Sequence, residues 1–433
     1  SHTVMTKGEN GEPIQSTGTA FANIGVIVID DATKKIESNS LFEIKEDTAK
    51  DATVAAAAQK IIDRIDKEYG AVFAKSEVVL NGAKAPNGNR DSETNNGDLI
   101  TDAMVWKILQ DKESLTVDAD HVVAVTNGGG IRKAINPGDV TKKNINEVLP
   151  FGNTVVTIYI TGAELLEALE ASTYCTPDAI GGFPQVSGIN YTISTAVAYD
   201  ADAETYPAST YYGPKSINRV TINSINGKEF KADDTYAVIT NDFCGGGGDT
   251  YYAFAAATAK FDTGIPLDEV VMEYITAELK GVIGKQYAAP QGRILMNPFA
   301  DVKASSWFGK YVIDLYNDGI INGTSATTYA PNNTLTWAAA LKLLLVSNGD
   351  LKAADATGAD WSKNAIAKAA ELGLVAADLD GAKAISRLEF CQVAAKLNKL
   401  AESKTESKFT DCTDGYVTVS YTHLRAHETK ANL

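Results

Sequence analysis

Apolar and polar positions alternate around "ANIGVIVIDDATKKIESNSLFEI", between residues 20 and 43, a period of two that predicts two strands joined by a polar turn near Asp31-Ala32-Thr33. The pattern then changes. "TAKDATVAAAAQKIIDRIDKEY", residues 48 to 69, is alanine-rich and brings Ile61, Ile62 and Ile65 to one side, as a long helix connecting two bodies would. From about residue 75 to 297, strand-like runs ("HVVAVTN", "TVVTIYI", "RVTIN", "TYAVITND") alternate with helical ones ("GDLITDAMVWKILQ", "GAELLEALEAS", "LDEVVMEYITAEL"). That alternation predicts an α/β domain with a mixed sheet and glycine-rich loops at its strand ends, where ligands usually bind.

The last third repeats itself. "FADVKASSWFGKYVIDLYNDGIINGTSATTYAPNNTLTWAAALKLL" reads as helix, glycine turn, loop and helix, and "DWSKNAIAKAAELGLVAADLDGAKAISRLEFCQVAAKL" is a second pass. Trp307 and Trp361 hold equivalent places, as do Gly319 and Gly373, then Leu335-Thr336 and Ile385-Ser386. Repeats of this size are small all-α units that bury their cores against each other. The division predicted is a connector helix over 45–74, an α/β domain over 75–297, repeats over 298–349 and 350–402, and the start of a third over 408–420. Residues 421–433, "THLRAHETKANL" included, depart from the repeat and read as a frame change or read-end artefact. His423 and His427 there lack the H-E-x-x-H order of a metal site.

Composition narrows the classes. A chain of 433 residues holds two or three domains, and a formal charge of -16 argues against nucleic acid as a partner, which would need a basic stripe. No apolar run reaches membrane-spanning length, and no signal peptide is recognisable ahead of "SHTVM", which reads like the middle of something. The four cysteines (Cys175, Cys244, Cys391 and Cys412) form no C-x-x-C pair, so a zinc ribbon is excluded. Cys391 could meet Cys412 in an oxidising compartment, against isolated buried thiols as the alternative.

The stretch "VTNGGGIRKAI", residues 125 to 135, is the first candidate for chemistry. It is not a Walker loop, because no Lys-Ser/Thr pair follows Gly130, and it is not a dinucleotide fingerprint, because Pro137-Gly138 breaks the chain too soon. Three glycines let a ligand approach the backbone, and the planar fork of Arg132 sits right behind them. Alone, the stretch divides evenly between a strand-exit turn and an anion site.

Two resemblances go further. "F-x-D-V", a tryptophan, "DGIINGTSATTYAPNNTLT" and later "ISRLEF" resemble S-layer homology repeats, modules that attach bacterial proteins to polymers of the cell wall. In that family a Thr-Arg-Ala-Glu-like stretch supplies an arginine for an anionic ketal on the polymer, a contact that lysine or tryptophan cannot copy. The second repeat keeps it as Ser386-Arg387-Leu388-Glu389, which assigns polymer binding to Arg387 and Glu389; the first reads Thr336-Trp337-Ala338-Ala339. Outside the repeat context Arg387 and Glu389 would be a solvated helix pair worth well under about 1 kcal/mol.

Nearly all of residues 75 to 297 resembles the carboxy-terminal domain of the 5'-nucleotidase family. The carrying strings stand in order: "RDSETNNGDLITDAM", "NGGGIR", "VLPFGNTVV", "QVSGINY", "NDFCGGGGDTYYAF" and "QGRI". The resemblance implies that Arg90 and Arg132 face phosphate, that Asn127 hydrogen-bonds at the same place, that Phe151 and Phe243 sandwich the base, and that Asp249 accepts from the ribose hydroxyls. The competing assignment of both phenylalanines to a core is set against their positions beside Pro150 and Gly152 and before four glycines. An upstream arginine common in the family has Lys84 as its nearest counterpart here, at a different spacing. Stacking at about 1 to 3 kcal/mol per contact and charge-assisted bonds at about 1.5 to 3 each, against an association cost of at least about 4, imply weak to moderate nucleotide binding.

The same resemblance implies that residues 1–44 are the end of a metallophosphatase domain, with His2 as its last metal ligand and the other ligands of two divalent ions upstream. No catalytic residue is then expected within this chain, which alone would be inactive. The parent protein would be an extracellular, wall-anchored nucleotidase, with the connector helix as a hinge. Two readings from other classes stand beside it: a non-catalytic wall-bound nucleotide-binding module, and a structural cell-surface protein with a degenerate domain.

Overall fold

The computed structural model describes residues 3–199, 217–257 and 259–401, and the chain forms two units, residues 1–71 and 72–433. In the first unit, Val4–Lys7 pairs antiparallel with Pro13–Thr17, and Asn23–Ile29 with Ile36–Glu43. The second pair turns on Asp30, whose carboxylate accepts from the Thr33 amide while Lys34 adopts φ 55°. The helix Ala52–Tyr69 starts on Asp51, whose side chain accepts from the amides of Thr53 and Val54, and none of its residues is buried.

The second unit is built on a five-stranded sheet in the spatial order Ala259–Pro266, Thr154–Thr161, Thr235–Asn241, Val122–Asn127, Pro184–Ser187. Only Thr235–Asn241 and Val122–Asn127 run parallel, so the sheet is mixed. The run "VVAVTN" is buried along its whole length because both sheet faces are covered. Val122 and Ala124 point to one core, with Leu99, Ile100, Ala103 and Met104 of the helix Asn95–Leu109 and Val270 and Val271 of Leu267–Ala277. Val123 and Val125 point to the other, with Leu165, Ala168 and Leu169 of Gly162–Ser172. This period-two division of one strand between two cores fixes its register and the place where it ends.

Beside this sheet, Ile294–Asn297 runs parallel to Ile189–Ser194 and leads straight into four helices, Gly309–Asn317, Trp337–Ser347, Trp361–Glu371 and Arg387–Leu397. Thr336 and Ser386 cap equivalent helices, and Gly319 and Gly373, at φ 70° and 69°, end equivalent turns. Trp337–Ser347 serves both small cores: Leu343 packs on the cluster of Phe299, Val312 and Ile313, while Leu341 and Leu345 pack with Ala365 and Val393. The architecture is multidomain, a mixed-sheet α/β domain followed by all-α repeats.

Candidate functional site

The two parallel strands end side by side, each on an asparagine, and the loops that leave them are where a ligand can reach the backbone of an open sheet. Asn241 is buried and fully used: its oxygen accepts from the Cys244 amide at 2.8 Å, and its nitrogen donates to Thr126 Oγ1 at 2.9 Å and Asn127 Oδ1 at 3.0 Å. With its oxygen held, Asn127 points its nitrogen at Asp249 and donates to Oδ2 at 2.7 Å. Asp249 sits at φ 52°, in the left-handed region. Burial raises its carboxyl above the ordinary 3.8, opposed by the Asn127 hydrogen bond and the Arg90 charge.

After Asn127 the chain makes one tight turn, Gly128–Gly130. A Cβ on Gly128 would stand 1.6 Å from the Asn89 carbonyl oxygen, so only glycine lets the segment carrying Arg90 lie against this turn. Arg132 donates to the Gly129 carbonyl at 3.2 Å, and its guanidinium lies 5.6 Å from the centre of the Phe151 ring. Phe151 is 60% exposed and Phe243 45%; neither belongs to a core cluster. The Phe243 ring rests on Gly248, where a Cβ would come within 2.6 Å of it. A narrow cleft of about 20 Å³, lined by Thr126, Gly130, Phe151 and Asn241 among others, opens beside Phe151. A roomier cavity of about 780 Å³ lies at the opposite ends of the same strands, around His121 and Asp234.

Sequence reasoning did not single out Asn241, Thr126 or the buried Gln185, which hold the site residues in place. An asparagine before a glycine run was visible in "NDFCGGGGD", but nothing in that string tells a buried orienting amide from an exposed one.

In the repeats, Arg387 is exposed at the first position of its helix, while Glu389 turns back and accepts from the Ser386 amide and hydroxyl, both at 2.7 Å. Glu389 thus completes a capping box, and those two bonds hold its carboxyl below the ordinary range. In the first repeat Trp337 is 9% exposed and packs in the core between the repeats. His2, Cys412, residues 408–420 and the tail with His423 and His427 lie outside the described residues. The 5'-nucleotidase resemblance implies two divalent ions, but among the described residues no group of three or more histidine, cysteine or acidic side chains is placed to hold one, so these residues do not fit such a centre. Among them also, no helix is long and apolar enough to cross a membrane.

Comparison with known proteins meets this geometry. Residues 72–256 match the family "5'-nucleotidase, C-terminal domain", and residues 298–340 match the S-layer homology domain. The chain is 32% identical over 289 residues to the trifunctional nucleotide phosphoesterase protein YfkN of Bacillus subtilis, covering 66% of this chain and 18% of that protein. It is 30% identical over 256 residues to the 5'-nucleotidase of Rattus norvegicus, covering 58% and 40%. It also aligns with the crystal structure of a 5'-nucleotidase precursor from Thermus thermophilus, at 26% identity and a TM-score of 0.45, covering 67% and 53%. The chain therefore spans well under two thirds of each of these proteins. Residues 72–256 belong to the 5'-nucleotidase C-terminal domain family and residues 298–340 to the S-layer homology domain family.

Proposed function

We propose that residues 75–297 bind a nucleoside monophosphate at the paired strand ends, with phosphate toward Arg90 and Arg132, the base between Phe151 and Phe243, and the ribose hydroxyls on Asp249. The observation that carries this reading is that loops at one end of the sheet carry two phenylalanine rings left outside the core and a carboxylate already oriented by Asn127. Flat apolar faces accept any base, an arginine fork fixes the phosphate end, and a held carboxylate accepts two adjacent hydroxyls. The whole protein is proposed to be a surface-anchored, metal-dependent phosphoesterase in which this domain selects the nucleotide and other parts hold the metals and cleave the ester. Residues 1–44 with His2 would close the metal-holding domain, and residues 45–74 would connect it as a hinge.

Calorimetric titration of the chain with AMP and with adenosine tests the binding reading directly. AMP is expected to bind more tightly than adenosine; no heat from either ligand at millimolar concentration would refute the site. Asp249 adds a pH signature. Its carboxyl titrates above 3.8 and accepts hydroxyl protons fully only when ionised, so adenosine affinity is expected to fall on acidification with a midpoint above that value. Asp249→Asn should abolish that dependence, and a profile identical to that of the unaltered chain would remove Asp249 from the site.

For residues 298–402 we propose anchoring to an anionic cell-wall polymer through Arg387. Its exposed position at a helix start, with Glu389 committed to the cap, leaves the guanidinium to face a ligand. Arg387→Ala is expected to weaken co-sedimentation with purified walls about tenfold or more, the worth of a charge-assisted bond. Sedimentation equal to that of the unaltered chain would leave the second repeat structural.

A further inference from the structure

The string "QVSGINY" carries a residue that touches no ligand-facing surface and yet holds the loop on which one of the proposed phosphate contacts sits. Gln185 is completely buried at the start of the edge strand Pro184–Ser187. Its Oε1 accepts from the Thr94 amide at 3.0 Å. Its Nε2 donates to the carbonyls of Asn89 at 3.2 Å and Ser92 at 2.7 Å. Both amide hydrogens and the oxygen therefore bond the backbone of one segment, 89–94, more than ninety positions earlier in the chain. Thr94 tightens the same loop by donating to Asn89 Oδ1 at 2.5 Å.

Arg90 lies inside that clamp. Its carbonyl accepts from the Ile180 amide at 2.9 Å, and its charge is felt at Asp249. The Asn89 carbonyl that Gln185 grips is also the atom that presses on Gly128, so one amide sets the distance between the Arg90 loop and the glycine turn bearing Arg132. Gly97 leaves the space this requires: a Cβ there would stand 2.1 Å from Gln185 Oε1.

We infer that Gln185 is a positioning residue for phosphate recognition, acting through Asn89 and Arg90. The inference rests on the nucleotide-site reading above. Losing it should cost the phosphate increment of binding, the ratio of AMP to adenosine affinity, rather than binding of the nucleoside. Gln185→Glu makes the test: it keeps length and the acceptor for Thr94, but brings at most one proton to two carbonyls that each need a donor.

Titrations with AMP and adenosine are made on the unaltered chain, Gln185→Glu, Arg90→Ala and the double variant. A loss of about tenfold in AMP affinity, with adenosine affinity within twofold, is expected for both single variants, and little further loss in the double. AMP affinity within twofold of the unaltered chain in Gln185→Glu would overturn the inference. So would an equal loss of AMP and adenosine affinity, because that marks a general structural role. If Gln185→Glu does not fold, Gln185→Met keeps the length without a charge and is judged by the same ratio. Failure of the unaltered chain to bind either ligand is a different outcome, since it removes the nucleotide site itself and the inference with it.

Discussion

Replacing Asp102 by alanine is expected to destabilise the 5'-nucleotidase C-terminal domain by about 3–5 kcal/mol, the cost of stranding a buried charge. The stranded charge is Arg293, from the string "QGRI", whose side chain is only 14% exposed; that of Asp102 is 19% exposed. Arg293 Nη2 stands 2.7 Å from Asp102 Oδ1, which also accepts from Ser187 at 2.7 Å, while Tyr287 donates to Oδ2 at 3.0 Å. Asp98 is the nearest alternative partner, at 3.6 Å, but burial and then the Glu93 carboxylate push it up to about 8 against the pull of Arg293. Burial thus makes Asp98, which is also farther away, a poor substitute for Asp102 as the partner of Arg293. Urea unfolding should show a lower midpoint at an unchanged slope. A loss below about 1 kcal/mol would mean that Arg293 finds water when its partner is removed.

The second large effect is on binding. Truncating both Phe151 and Phe243 to alanine is expected to weaken AMP by about 2–6 kcal/mol, from about 1–3 kcal/mol per stacked base contact. Stability should change by no more than about 0.5 kcal/mol, because neither ring contributes to a core. The Phe151 part includes the support its ring gives Arg132 at 5.6 Å, so the two losses need not add. The opposite result, intact binding with a lowered unfolding midpoint, would make the rings structural and dismantle the proposed base pocket.

How far the chain announces this arrangement differs from element to element. The strands Val122–Asn127 and Thr235–Asn241 were legible because strands buried on both faces are apolar without interruption, and helix starts at Thr336 and Ser386 were legible because the repeat sets them side by side. "QGRI" could be read as a family string but not as a buried ion pair, since Arg293 meets Asp102 across 191 positions. The same limit hid Gln185 and Asn241, whose partners are backbone or amide groups of distant segments. Trp337 shows the reverse difficulty. Alignment of the repeats places it where a polymer-binding arginine would stand, but a large apolar residue there is drawn into the space between the repeats instead.

One junction decides how the domain meets its surroundings. Asn317 of the first repeat brackets Met296, accepting from its amide and donating to its carbonyl, each at 2.9 Å, while Leu295 packs into the cluster around Phe299. The helical module is thus welded to the last strand of the α/β domain with no slack between them. A tether of Gly and Ser would let its cargo tumble and present every face in turn; this joint transmits torque. In the proposed anchoring, a polymer held by the repeats would therefore also set the compass bearing of the strand-end cleft, and a nucleotide would have to arrive from the side that the grip leaves open.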